Sequence, residues 1–196
     1  MSLYNAEISA GSLMRAESRK VAELLLSHPT SAQWDAAIKD ENILQKSPTT
    51  ARRQARLIRN RLETLSDAGL QLIVQGDVEI CTQMLLAASI RHSHLLGDFM
   101  RDVYGHDLQQ LERHLSYRQW DAFLAECEHR DDAVATWAAT TRLKLFQVVV
   151  RVLAEAKYLD STKVLSLTPP MLHPKVRSYL QQAGSSETLK RMEFNQ

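Results

Sequence analysis

The chain has 196 residues, of which 44% are hydrophobic, and 24 basic against 23 acidic residues give a formal net charge of +1. That length supports one substantial core, so a single helical domain over 1–196 is expected, the alternative being an N-terminal helical part, 1–66, packed on 67–196. The longest uncharged stretches, 80–90 and 164–174, are eleven residues each, short of the roughly 20 apolar residues a membrane helix needs. The opening MSLYNAEISAGSLMRAESRK has no basic start followed by an apolar run, so it does not read as a secretory signal, and the cytoplasm is the default location.

Six glycines and five prolines leave little turn chemistry for a many-stranded sheet, which points to an all-α, compact multi-helix bundle. Ser12 is placed to cap a first helix carrying Leu13, Ala16, Val21, Leu24 and Leu25, ending near His28-Pro29 because the residue before proline resists helical geometry. A short helix over 31–39 sets Trp34 and Ile38 on one side. Ser47-Pro48 opens the next, with serine as cap and proline at the first helical position. Its stripe is Ala51, Ala55, Ile58, Leu62 and Leu65. Ser66-Asp67 restarts a segment to Val74, and Asp77 caps a helix through Ile80, Met84, Leu85 and Ala88. A helix over 95–104 is expected to stop at Gly105.

Ser116 opens a segment with Trp120, Phe123, Leu124 and Cys127, and EHRDD at 128–132 marks a bend. The stretch 136–157 is apolar on several sides, as a central helix would be, although its LFQVVVRVL portion has strand propensity. The 161–174 segment is irregular or briefly extended, followed by short helices over 174–182 and 186–193. Cys81 and Cys127 lie inside helical patterns and are expected to be reduced, buried apolar residues.

Catalytic signatures are missing. The six glycines are too scattered for a phosphate-cradling loop, and neither H-E-x-x-H nor G-x-S-x-G occurs. On a helix His92 and His94 point away from each other, so no metal or other cofactor is expected. Asp131-Asp132 reads as a solvated charge cluster. Trp34, Trp120 and Trp137 read as packing anchors. No catalytic residue is assigned, and a non-enzyme is expected.

The charge distribution is uneven. SPTTARRQARLIRNRL at 47–62 holds five arginines and no acidic residue; with Lys46 the segment carries +6 and the rest of the chain −5. On a helix Arg52, Arg56 and Arg59 fall within about 60° of one another beside the apolar stripe. Such a row repels itself unless something negative meets it. Arginine suits phosphate because its planar fork offers two donors, and Thr49 and Thr50 set hydroxyls in the first turn, at the positive end of the helix dipole. Lys46, Thr49, Thr50, Arg52, Arg53, Arg56, Arg59 and Arg61 are therefore the candidate anion-binding set. Two other readings stay open: pairing with acidic residues of the fold or a partner, for instance the face holding Asp131 and Asp132, and a plain solvated face. The pair 31–39 and 48–65 is a weak helix-turn-helix, since its connection exceeds the usual 3 to 4 residues.

Three stretches, YNAEISAGSLMRAESRKVAELLL, SPTTARRQARLIRNRLETLS and QMLLAASIRHSHLLGDFMRDVY, in this order resemble the BrxA family of the bacterial BREX phage-defence systems. The resemblance covers most of the chain. It implies an all-helical, non-enzymatic protein with a fold similar to the NusB antitermination factor, which binds double-stranded DNA and works beside a methyltransferase, an ATPase and a phosphatase-like protein. Family members have been labelled inner-membrane proteins, a label at odds with the short apolar stretches here. The arginine-rich segment is the part the resemblance would place on DNA. An adaptor docking acidic surfaces of other BREX subunits, or an RNA binder, is the alternative.

Overall fold

In the computed structural model, which describes residues 2–194, the regular structure is helical and two isolated antiparallel bridges, His114 with Ser166 and Leu159 with Leu167, are its only extended pairings among those residues. After a 3₁₀ turn at Glu7–Ala10 come α1 (Arg15–Leu26), α2 (Ser31–Asp35, running on as a π-helical Ala36–Asp40), α3 (Pro48–Leu62), α4 (Asp67–Gln75) and α5 (Val78–His92). Next are α6 (His94–Phe99), a π-helical Met100–Gly105, α7 (His106–Gln109), α8 (Tyr117–Arg130), a 3₁₀ turn at Asp132–Thr136, α9 (Ala139–Glu155), α10 (Pro174–Gln182) and α11 (Ser186–Lys190). The fold class is all-α, as the composition implies.

Most starts obey local chemistry. Asp77 caps α5 by accepting from the Ile80 N–H at 2.9 Å, Ser116 and Gln119 form a capping box on α8, and Pro48 opens α3 as expected, although the Ser47 hydroxyl before it donates to Thr50 and caps no backbone N–H. Two boundaries differ from expectation. Helix α1 begins at Arg15 behind a left-handed Met14, not at a Ser12 cap, because the Ser12 hydroxyl donates instead to Glu155 of α9 at 2.7 Å. Gly105 does not stop its helix: it keeps helical angles, and the chain continues to Gln109. The glycine serves a tertiary contact instead of a stop, lying against the Phe194 ring where a Cβ would come within 2.9 Å.

The central helix is α5, not the 136–157 stretch. Every residue from Ile80 to Ile90 is buried, and α1, α3, α4, α6, α10 and α11 all pack on it. Helix α9 buries Leu145, Val148, Val149, Val150, Val152 and Leu153 but leaves Leu143 exposed, so it flanks the core and packs on the Glu7–Ala10 turn. Its valines remain helical because burial along one side outweighs their strand preference. Cys81 and Cys127 are free and buried, as expected, and burial pushes the Cys127 thiol up to about 11. Trp120 is an anchor in the sense expected, fully buried between Phe99, Phe123 and Phe146 with its N–H donated to the Arg142 carbonyl at 3.1 Å.

Asp98 joins the two ends of the chain inside this framework. Its carboxylate accepts from the Tyr4 hydroxyl at 2.7 Å and from Arg191 at 3.1 Å, with Arg101 at 3.1 Å and Arg130 at 3.5 Å completing the cluster. Arg191 passes over Gly97, where a Cβ would lie 2.6 Å from its Nη1. Removing the carboxylate would leave several cationic groups facing a near-buried hole, the costly way to break such a network. Asp98→Ala is expected to lower unfolding free energy by about 3 kcal/mol, measured as a reduced urea midpoint with an unchanged m value; a midpoint equal to that of the wild type would contradict this role.

Candidate functional site

Helix α3 lies at the surface with one side on the core. Ala51, Ala55, Ile58 and Leu62 are buried, as is Leu65 just beyond its end, so the period of the apolar stripe correctly set the rotation of the helix. Arg52, Arg53 and Arg56 are consequently exposed and Arg59 is half-buried. Arg61 departs from the expected set. It is buried to 4% exposure and donates to the carbonyls of Ser12 at 2.5 Å and Gly11 at 3.0 Å. Burial lowers its pKa to about 10, with Glu155 acting in the other direction. A guanidinium so enclosed reaches no external anion, so Arg61 leaves the candidate surface and becomes the anchor of the N-terminal segment.

The other cations divide by what meets them. Lys46 pairs with Glu17 at 3.0 Å, Arg56 with Glu7 at 2.9 Å, and Arg59 with Glu63 at 2.6 Å while its guanidinium sits 4.6 Å from the centre of the Trp34 ring. Arg52 and Arg53 have no ion pair among the described residues. Asp131, considered as a partner for the arginines, is engaged elsewhere: it accepts from the Ser2 hydroxyl at 2.6 Å and the Tyr4 N–H at 2.8 Å, bonds that hold its carboxyl down at about 2. The repulsion along α3 is therefore relieved locally, by Glu7, Glu17 and Glu63, and only for some of its members.

The 3₁₀ turn at Glu7–Ala10 runs beside α3 and makes a groove with it of about 460 Å³, lined by Glu7, Ser9, Thr49, Arg52, Arg53 and Arg56, among others. Thr49 opens onto this groove, whereas Thr50 is turned to accept from the Ser47 hydroxyl at 2.9 Å. Glu7, Ser9 and Asn60 were not singled out from the sequence. Glu7 lies 45 residues before Arg52 and no local pattern links the two; only its charge, in a segment predicted to precede the first helix, could have raised it.

Behind the groove, His92 at the end of α5 faces Glu7 with Nε2 at 3.4 Å from the carboxylate. Burial, then the Arg61 charge, lower its pKa, against the opposing pull of Glu7. His94 is not its partner, and among the described residues no three potential ligands stand close enough to hold a metal ion. No helix among them is long and apolar enough to cross a membrane.

The BrxA family model matches residues 2–184. The chain belongs to the BrxA family. A protein of Paramagnetospirillum magneticum (strain ATCC 700264 / AMB-1) described as BREX protein BrxA is 39% identical over 95% of this chain and 94% of its own length. One of the same description from Escherichia coli O9:H4 (strain HS) is 32% identical over 95% and 88%. Among solved structures, an uncharacterized protein from Magnetospirillum magneticum superposes with a TM-score of 0.92 at 35% identity, covering 98% of this chain and 100% of that one. The all-helical architecture is thus that of an experimentally determined relative, and BrxA membership places the chain in BREX defence.

The His92 environment has a measurable consequence. Unfolded histidine takes up its proton near about pH 6.5, and the folded group does so at lower pH, so as the pH falls the unfolded state binds the proton first. The stability contributed by the neutral ring is complete above about pH 6.5 and is lost as the pH drops toward the folded value. Thermal melts between about pH 7.5 and 5 are expected to show a decline in Tm that is shallower in His92→Gln; an equally steep decline in the variant would assign the effect to other groups.

Proposed function

We propose that this BrxA-family chain is a non-enzymatic, cytoplasmic DNA-binding accessory of its BREX system that holds duplex DNA by its phosphates. The reading rests on one observation above all: Arg52 and Arg53 are exposed, without an ion pair among the described residues, in a groove whose wall also carries Arg56 and Thr49. Planar guanidiniums held on a rigid helix match phosphate oxygens in pairs, and contacts of this kind fix position on a duplex without reading its sequence. Lys46, Arg59 and Thr50 lie at the margins and contribute charge or hydroxyls; Arg61 contributes none. Other BREX subunits, among them the methyltransferase, the ATPase and the phosphatase-like protein, are the partners for which the DNA would be held.

One feature favours a second reading. Arg56 already carries a carboxylate, that of Glu7, so the same row could dock an acidic surface of another BREX subunit.

Salt dependence separates the two. With about four phosphates neutralised, log K against log salt should have a slope of about −3.6, nearly equal for unrelated duplexes. Replacing Arg52, Arg53 and Arg56 together by Gln should flatten it by up to about 2.7 and leave the helical circular dichroism unchanged, since none of the three is in the core. Lys175→Gln, an exposed cation at the first turn of α10, is the control. A triple variant that binds duplex DNA like the wild type but no longer joins its protein partners would decide for the adaptor.

A further inference from the structure

Arg52, Arg56 and Asn60 recur at steps of four along α3 and line two cavities. They form a ridge with the groove toward Glu7–Ala10 on one side and a smaller cavity, of about 220 Å³, on the other. The smaller one is walled by Trp34 and floored by Ile38 and Ala55, with Arg59 beside the ring. Its chemistry differs from that of the groove. A phosphate site has no use for an indole, yet this cavity is lined by an indole with a guanidinium over its ring and by a free carboxamide.

Trp34 is also unlike Trp120. It is half-buried rather than enclosed, and its indole N–H has no hydrogen-bond partner among the described residues. Asn60 is equally uncommitted there, so its amide can both donate and accept. Asp35, the carboxylate on this rim among the described residues, is held by Lys39 at 2.6 Å. Successive bases of a single strand stack on aromatic rings and arginine planes, and an amide reads their edges. In an intact duplex those base faces are covered by neighbouring pairs.

We propose that the cavity beside Trp34 takes one unpaired nucleobase, stacked on the Trp34–Arg59 pair with its edge toward Asn60, while phosphates of the same strand lie on Arg52 and Arg56. This rests on the phosphate-binding reading and narrows it: the nucleic acid best held is one that offers an unpaired base, as a single strand, a junction or an extruded nucleotide does. Arg59 has a dual part, pairing with Glu63 and extending the stacking layer.

The test compares oligothymidylate with an abasic oligomer of equal length, which has the same phosphates and no bases, by fluorescence anisotropy over a range of salt. The wild type is expected to bind oligothymidylate about tenfold more tightly. Trp34→Leu should remove that preference while leaving abasic binding and its salt slope unchanged, and Trp34→Phe should keep part of it. Equal wild-type affinities with salt dependence intact would overturn the base pocket and leave phosphate binding standing. A preference that survives Trp34→Leu, or an equal loss for both oligomers, would also overturn it, since the ring would then be either irrelevant or merely structural. Absence of salt-dependent binding to either oligomer would remove the phosphate reading and the pocket together.

Discussion

A single buried guanidinium sets the relation between the N-terminal segment and the rest of the molecule. Arg61 points inward from α3 and donates to the carbonyls of Gly11 and Ser12. Desolvating a cation is expensive: burial depresses its pKa, and Nε has no hydrogen-bond partner among the described residues. What offsets it is the pair of carbonyls, the charge of Glu155 and the shape of the segment that the two bonds impose. With 11–12 held against α3, the preceding turn at Glu7–Ala10 is brought beside the outward-facing arginines. The groove exists because an arginine of the same helix faces the other way.

The segment is fixed at several further points. Glu155 accepts from the Ser12 hydroxyl and the Leu13 N–H, Asp131 accepts from Ser2 and Tyr4, and the Tyr4 hydroxyl reaches Asp98. The acceptors are spread along the chain, on α6 (Asp98), just after α8 (Asp131) and at the end of α9 (Glu155). A surface assembled in this way is held by the core rather than by local chain stiffness, and an array of donors so held loses less conformational freedom on meeting an anion than one carried on a loose arm. The consequence for binding is preorganisation: the contribution of each guanidinium is not diminished by the entropy of ordering the backbone that carries it.

The cations of α3 are graded rather than equivalent. Glu17, Glu63 and Glu7 meet Lys46, Arg59 and Arg56, and exposed pairs of this kind are worth little on their own, typically below about 1 kcal/mol. Their effect is positional. They orient Arg56 and Arg59 and leave Arg52 and Arg53, the two arginines closest to the start of the helix, without a counter-charge among the described residues. A helix start already favours anions through its dipole, so the unopposed charges and the dipole act on the same place.

Local rules were enough for the helices that begin with a cap or a proline and carry an apolar period. The start of α3, its rotation and the burial of Ala51, Ala55, Ile58 and Leu62 were all legible, because spacing alone decides which side of an amphipathic helix meets the core. The family resemblance was equally legible, being a property of residue order. The fate of Gly105, the central place of α5 and the true start of α1 were not, since each depends on a residue far away in the chain: Phe194, the helices packed around 80–90, and Glu155. The same limit applied to the candidate site. Composition and spacing determined that 47–62 would be a basic helix with a row of arginines on its flank. Only tertiary contact decided that Arg61 turns inward to two backbone carbonyls, that Glu7 returns from 49 residues away to meet Arg56, and that Trp34, packed against the core on one side, lies under Arg59. A guanidinium looks the same in sequence whether it is exposed or buried; the difference lies in which acceptors the fold brings within hydrogen-bond reach.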